Sequence, residues 1–317
     1  MAGQHLRVER AGRVLTARLS NPPHNFMNRA MVLELEELVE GLESDSSVGA
    51  VILTGDHPEA FITHYDVEEI LRGSEQIGRQ VAPRVAGGAL RTTGALSRLP
   101  GASGALARTQ AAGLVELRRI HDVFGRMNRS DKVFIAAING IASGGGCELA
   151  LACDLRIISE EGGPIGQPEI LLGLIPGGGG SQRLTRLLGS GRALELILEG
   201  RVLGPAEAAA IGLVHRVVPA AGLIAEATAT AERLARRPPG SVAAAKRTVY
   251  EGGSMDLDEG LHVERSEFLA VSSRPQGRRA MRAYVDELER RGGPPLADEE
   301  AIGRWLDGTA VDLVDEG

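Results

Sequence analysis

Two glutamates stand beside the densest glycine runs of this 317-residue chain: Glu148 closely follows Gly144, Gly145 and Gly146, and Glu169 precedes the run Gly177 to Gly180. The first belongs to the segment 133–154, VFIAAINGIASGGGCELALACD. There an apolar run reads as a buried strand, followed by Asn139-Gly140, a short apolar step, three glycines and the start of a helix. Such a turn lets backbone amides approach a ligand closely, and the helix behind it aims its positive end at the same place. A developing oxyanion would be stabilised there. Two carboxylates in unlike surroundings can divide acid and base duties between them. Taken alone, the three glycines are equally a plain tight turn. Glu148 is then a first-turn acid favoured by the helix dipole, and Glu169 a loop acid.

The second segment, 164–188 (PIGQPEILLGLIPGGGGSQRLTRLL), sets Glu169 in a Pro-Glu step ahead of four glycines and an amphipathic helix. No Lys-Ser or Lys-Thr follows the glycines, and the dinucleotide spacing is absent, so neither a P-loop nor a Rossmann fingerprint is present. These glycines read as a tight turn.

The elements that must position these residues alternate strand and helix. Residues 5–20 read as two short strands around Gly12, and 28–43 as a helix. Apolar runs at 48–54, 133–138 and 154–158 read as buried strands, with helical segments at 66–72, 111–129 and 146–153. This is an α/β pattern. From about residue 190 the pattern is helical: 191–200, 205–211, 220–236, 240–251, 256–273 and 275–291. The expected organisation is a core over 1–190 carrying a lid-like insertion at 73–113, a helical region at 191–291 and an acidic tail at 292–317. In the insertion Arg79, Arg84, Arg91, Arg98 and Arg108 oppose a single Glu75. The tail holds seven Asp or Glu against one Arg, opens on Gly-Gly-Pro-Pro and leaves room for a turn or two of helix around Trp305.

A net charge of −7 excludes a generic polyanion binder, so a small-molecule partner is expected and a nucleic acid is not. The first twenty residues alternate apolar and charged side chains, which predicts neither a secretory leader nor a membrane span, and a cytoplasmic address. Cys147 and Cys153 suit neither a disulfide framework nor a metal site, so no metal is expected.

The two segments together carry a resemblance. Asn139-Gly140 through Ser143-Gly144-Gly145-Gly146-Cys147-Glu148-Leu149-Ala150, with Asp154 beyond, matches one signature of the enoyl-CoA hydratases of the crotonase superfamily. Gln167-Pro168-Glu169 through Ile175-Pro176-Gly177, with Gln182-Arg183-Leu184, matches the other. The chain resembles this family from about residue 6 to 290, most strongly over 130–190. The resemblance implies a spiral of repeated ββα units, a C-terminal helical region that mediates trimer formation, and trimers that stack as hexamers. It implies reversible addition of water to a trans-2-enoyl-CoA, giving a 3-hydroxyacyl-CoA, with no cofactor beyond the coenzyme A of the substrate. The superfamily also contains isomerases, dehydratases, thioester hydrolases and RNA-binding members.

Carried onto this sequence, the family's two catalytic carboxylates fall at Glu148 and Glu169; which is acid and which base stays open. The thioester enolate would be held by two backbone amides, those of Gly145 and Tyr65. The substrate-lining positions fall at Ile62, His64, Asp66, Gly144, Pro168 and Gly177. The stretch Phe61-Ile62-Thr63-His64-Tyr65-Asp66 departs from the small residues usual in the family, which bears on substrate shape more than on mechanism. For His64 an extra acid or base, a contact to coenzyme A and a partly exposed strand-end side chain are all open readings. Tyr65 reads either as a wall of the acyl pocket or as a cap on the core. The arginines of 73–113 read as solvated surface, with phosphate pairing as the alternative.

Overall fold

A computed structural model describes residues 3–78, 80–96, 106, 109 and 112–314. The chain opens on an antiparallel hairpin, β1 (Leu6–Ala11) and β2 (Val14–Leu19). Helix α1 (Arg29–Glu43) follows, capped by the Asn28 side chain, which accepts from the Met31 amide. Its buried Met31, Val32, Leu35, Val39 and Leu42 recur at helical spacing.

Three strand pairs then build the scaffold. β3 (Ala50–Gly55) and β4 (Ala60–Ile62) lead to α2 (Val67–Ile77) and α3 (Pro83–Leu96). After α4 (Ala112–Arg129), β5 (Val133–Ile138) and β6 (Ile141–Ser143) lead to α5 (Gly145–Ala152). β7 (Leu155–Ser159) and β8 (Ile165–Gly166) lead, through a 3-10 turn at Glu169–Leu172, to α6 (Gly180–Leu188) and α7 (Ser190–Glu199). β9 (Val202–Leu203), α8 (Pro205–Ala210) and β10 (Arg216–Val218) complete this part. The first strand of each pair lies in a six-stranded sheet of order β1-β2-β3-β5-β7-β10, and the second in a four-stranded sheet of order β4-β6-β8-β9. β3, β5 and β7 are mutually parallel, as are β4, β6 and β8, so each strand pair with its helix is one turn of a ββα spiral. The crotonase spiral that the resemblance implies is the observed fold.

The fully buried β3 and β5 explain why both read as unbroken apolar runs. Val51, Leu53, Phe134, Ala136 and Ile138 face one core with Leu35 of α1, Phe124 of α4 and Leu149 of α5. Their alternates Ala50, Ile52, Val133, Ile135 and Ala137 face a second core with Ala227 and Ala231 of α9 (Leu223–Leu234). Beyond α9 lie α10 (Pro239–Lys246), a π-helical turn at Arg247–Glu251, α11 (Leu257–Ser272), α12 (Pro275–Arg291) and α13 (Glu299–Leu306).

Several features differ from the sequence expectation. The segment after residue 190 contains two strands: β10 extends the large sheet beside β7, and β9 closes the small one against β8. Within 73–113, α2 runs on to Ile77 and α3 spans fourteen residues, with Arg84 and Arg91 exposed. Arg79, Arg98 and Arg108 lie outside the described residues. The tail, by contrast, carries the expected short helix around Trp305: Asp298 caps α13, Trp305 donates from Nε1 to Glu287 Oε2 at 3.0 Å, and its ring meets Tyr284 edge-on.

Candidate active site

The site forms where β4, β6 and β8 end together. Residues 63–66 pair with the stretch after the hairpin: Thr63 donates to Asn25 O, Met27 N–H to His64 O at 2.9 Å, and Asp66 N–H to Met27 O at 2.7 Å. The His64 carbonyl is thereby held by Met27, and the opposite end of the same planar peptide, Tyr65 N–H, points the other way. Ser143 N–H donates to Thr63 O and Gly144 N–H to Gly166 O, drawing the three strand ends together. Gly144 has φ +51°, a conformation that favours glycine, and α5 starts immediately after it. A β-carbon built on Gly145 would stand 3.2 Å from Tyr65 N, and one on Gly146 only 2.1 Å from Ile62 O. Close backbone approach thus requires glycine at 146 and leaves little room at 145. Neither Tyr65 N–H nor Gly145 N–H has an acceptor among the described residues. The structure brings these two amides together.

Glu148 sits in the first turn of α5, 5% exposed. A carboxylate so deep needs donors, and two arrive from the glycine run: Gly178 and Gly180 N–H donate to Glu148 Oε1 at 2.7 and 2.8 Å. Burial raises its pKa from the ordinary carboxylate value, opposed by those two amide bonds and by the charges of His121 and Arg183. A β-carbon on Gly178 would fall 2.6 Å from Glu148 Oε2, so a residue larger than glycine there would displace this carboxylate.

Glu169 opens the 3-10 turn after β8 and is half-buried. Burial, with a further contribution from Glu148, pushes its pKa up to about 7. The buried Gln167 side-chain amide contacts this carboxylate, 2.7 Å from Oε1 and 3.1 Å from Oε2. A β-carbon on Gly144 would lie 3.2 Å from Glu169 Oε1 and 3.7 Å from His64 Cβ, so the glutamate and the histidine flank one small space at the Gly144 turn.

Half-buried, His64 stacks on Phe26 with ring centroids 4.4 Å apart, and its Nδ1–H donates to Tyr65 O at 2.8 Å. Tyr65 turns its hydroxyl away to Glu69 Oε2, 2.9 Å off, and burial raises its pKa. Both departures from the family pattern therefore border the amide pair without covering it through a hydrogen bond. Ile62 is fully buried in the core, and Asp66 caps α2 by accepting from Glu68 and Glu69 N–H, so these two side chains have structural duties. Pro168 precedes Glu169, and Gly177 lies beside Leu117 of α4. Sequence reasoning missed the donors of Glu148, because the run Gly177 to Gly180 reads as a bare turn. The requirement that a buried carboxylate be hydrogen-bonded was the available signal.

Among the described residues no helix is long and apolar enough to cross a membrane.

Comparison with known proteins agrees with this geometry. The family model for enoyl-CoA hydratase/isomerase matches residues 9–86 and 107–291. A probable enoyl-CoA hydratase of Rhizobium meliloti is 34% identical over 286 residues, covering 90% of this chain and 96% of the relative. The short-chain-enoyl-CoA hydratase of Clostridium acetobutylicum is 32% identical, with 90% and 96% covered. The crystal structure of an enoyl-CoA hydratase from Bacillus anthracis superposes with a TM-score of 0.71 at 29% identity, covering 92% of this chain and 98% of that one. With the spiral, the amide pair and both signature glutamates in place, the chain belongs to the enoyl-CoA hydratase/isomerase family.

Proposed function

We infer that this protein is an enoyl-CoA hydratase, adding water reversibly to a trans-2-enoyl-CoA to give the 3-hydroxyacyl-CoA. The observation that carries the reading is that two carboxylates of raised pKa, Glu148 and Glu169, adjoin the turn that presents the Gly145 amide beside that of Tyr65. In the forward direction the water oxygen bonds to C3 and the π electrons of the 2,3 double bond move through C2 onto the thioester oxygen. The Tyr65 and Gly145 N–H groups stabilise that enolate. Glu148, held by two amides as an acceptor, takes the proton of the water. Glu169, whose pKa of about 7 leaves a protonated fraction at neutral pH, delivers a proton to C2. No step calls for a metal or a redox cofactor, and coenzyme A belongs to the substrate. Pro168 and Gly177, which bound the loop that carries Glu169, and His64, which borders the amide pair, line the substrate in this reading.

The same reading includes self-assembly. Leu257, Phe268 and Leu269 of α11 are 76%, 66% and 67% exposed, which marks an apolar face in want of a partner. A second copy of the chain is the occupant we assign, as a trimer or a pair of stacked trimers.

The test is loss of enoyl-thioester absorbance with crotonyl-CoA and with a longer enoyl-CoA. Wild type is active, and Glu148→Gln and Glu169→Gln each lower kcat by roughly 10²–10⁴-fold. A wild type inactive on every chain length overturns the function, and two undiminished variants overturn the residue assignment.

A further inference from the structure

We infer that His121 is a positioning residue for the reaction, which aims the Glu148 carboxylate by holding the far end of a peptide that binds it. The inference rests on Glu148 being a reacting group.

The argument starts from the two amides that hold Glu148 Oε1. A trans peptide is planar, with its carbonyl and its N–H at opposite ends, so fixing one end orients the other. In the Gly179–Gly180 peptide, the Gly179 carbonyl accepts from Arg183 N–H at 3.0 Å, a bond at the start of α6. Its other end, Gly180 N–H, meets Glu148 at 2.8 Å. The helix therefore orients this amide by itself. The Gly177–Gly178 peptide lies two peptides earlier and outside the helix. Its carbonyl instead accepts from His121 Nε2–H, 2.8 Å away on α4, while Gly178 N–H meets Glu148 at 2.7 Å. One amide is thus set by secondary structure and the other by a single side chain.

The loop has reason to need that side chain. A β-carbon on Gly178 would displace Glu148 and Gly179 has φ +104°, so both positions favour glycine and the run is correspondingly free to move. The other side chain on it, Arg183, reaches Gly178 O at 3.4 Å, a longer bond, while its second nitrogen is taken by Asn128 Oδ1 at 2.9 Å. Helix α4 runs alongside: Ile120 Cγ2 would stand 3.2 Å from a β-carbon on Gly178, and Leu117 Cδ1 3.9 Å from one on Gly177. His121 follows Ile120 in sequence and supplies the only polar contact from α4 to this peptide among the described residues. A donor on a carbonyl also polarises the amide at its other end, strengthening the bond to the carboxylate.

Two variants and one control decide it in the absorbance assay. His121→Leu keeps bulk but loses the donor; we expect kcat to fall about tenfold with KM within about twofold. His121→Gln restores an N–H donor and returns kcat to within about threefold of wild type. His121 is exposed, so both variants unfold at the wild-type temperature, which separates positioning from folding. A His121→Leu enzyme with wild-type kcat overturns the inference, as does a loss confined to KM or one that Gln does not relieve. The control is Glu148→Gln. If it is impaired while His121→Leu is not, only the positioning role fails; if Glu148→Gln is as active as wild type, the reading of Glu148 itself fails.

Discussion

Ionising Glu169 burdens the folded chain in a way that ionising an unfolded glutamate does not. Its pKa moves from 4.5 to about 7, chiefly through burial. Between those values the folded state binds a proton that the unfolded state has released. Stability therefore falls as pH rises through this window, the opposite of a salt-bridged carboxylate. Glu169→Gln removes the titration, so its unfolding temperature rises relative to wild type between about pH 5 and about pH 8. Thermal unfolding at several pH values measures the difference; a constant offset would refute the raised pKa. The identities of Glu148 and Glu169 were legible in their motifs. Their environments were not, because the amides that hold Glu148 come from Gly178 and Gly180, 30 and 32 residues downstream. No local pattern encodes that meeting.

At the scale of elements, the sequence was readable where strands and helices are long. β5 and α12 coincide with the expected 133–138 and 275–291, since a buried apolar run and a helical repeat each span enough residues to show a period. β6, β8 and β9, of three, two and two residues, show none, yet β6 and β8 position both glutamates. Asp154, beyond the first signature, acts between elements. It accepts from Phe134 N–H at 2.8 Å, Lys246 Nζ at 2.8 Å and Tyr250 Oη at 3.0 Å, binding β5 to α10 and the π turn. Lys246 Nζ also donates to Lys132 O at 2.7 Å. With the Lys246 and Asp154 side chains only 8% and 15% exposed, Lys246→Met leaves a carboxylate short of its cation. We expect a loss of about 3 kcal/mol, read from denaturant unfolding. A change below about 0.5 kcal/mol would show that the ion pair is dispensable.

On the scale of the whole molecule, the C-terminal helices leave apolar side chains uncovered, Phe268 and Leu269 among them. The helical content of this region was legible from its punctuation, whereas which faces stay bare depends on how the helices dock, which periodicity does not state. If a second copy covers this face, wild type elutes as a multimer and Phe268→Asp shifts it toward monomer at micromolar concentration, as light scattering would report. A variant of unchanged mass would move the interface elsewhere.

The tail adds something of a different kind. Trp305, the single tryptophan of the chain, is held by Glu287 and lies edge-on to Tyr284, while the Arg237 side chain reaches the Trp305 and Leu306 carbonyls. The protein's intrinsic indole fluorescence is therefore a local signal from the seam between α12, α13 and the turn after α9. It reports the docking of the last helix and stays silent about the catalytic spiral.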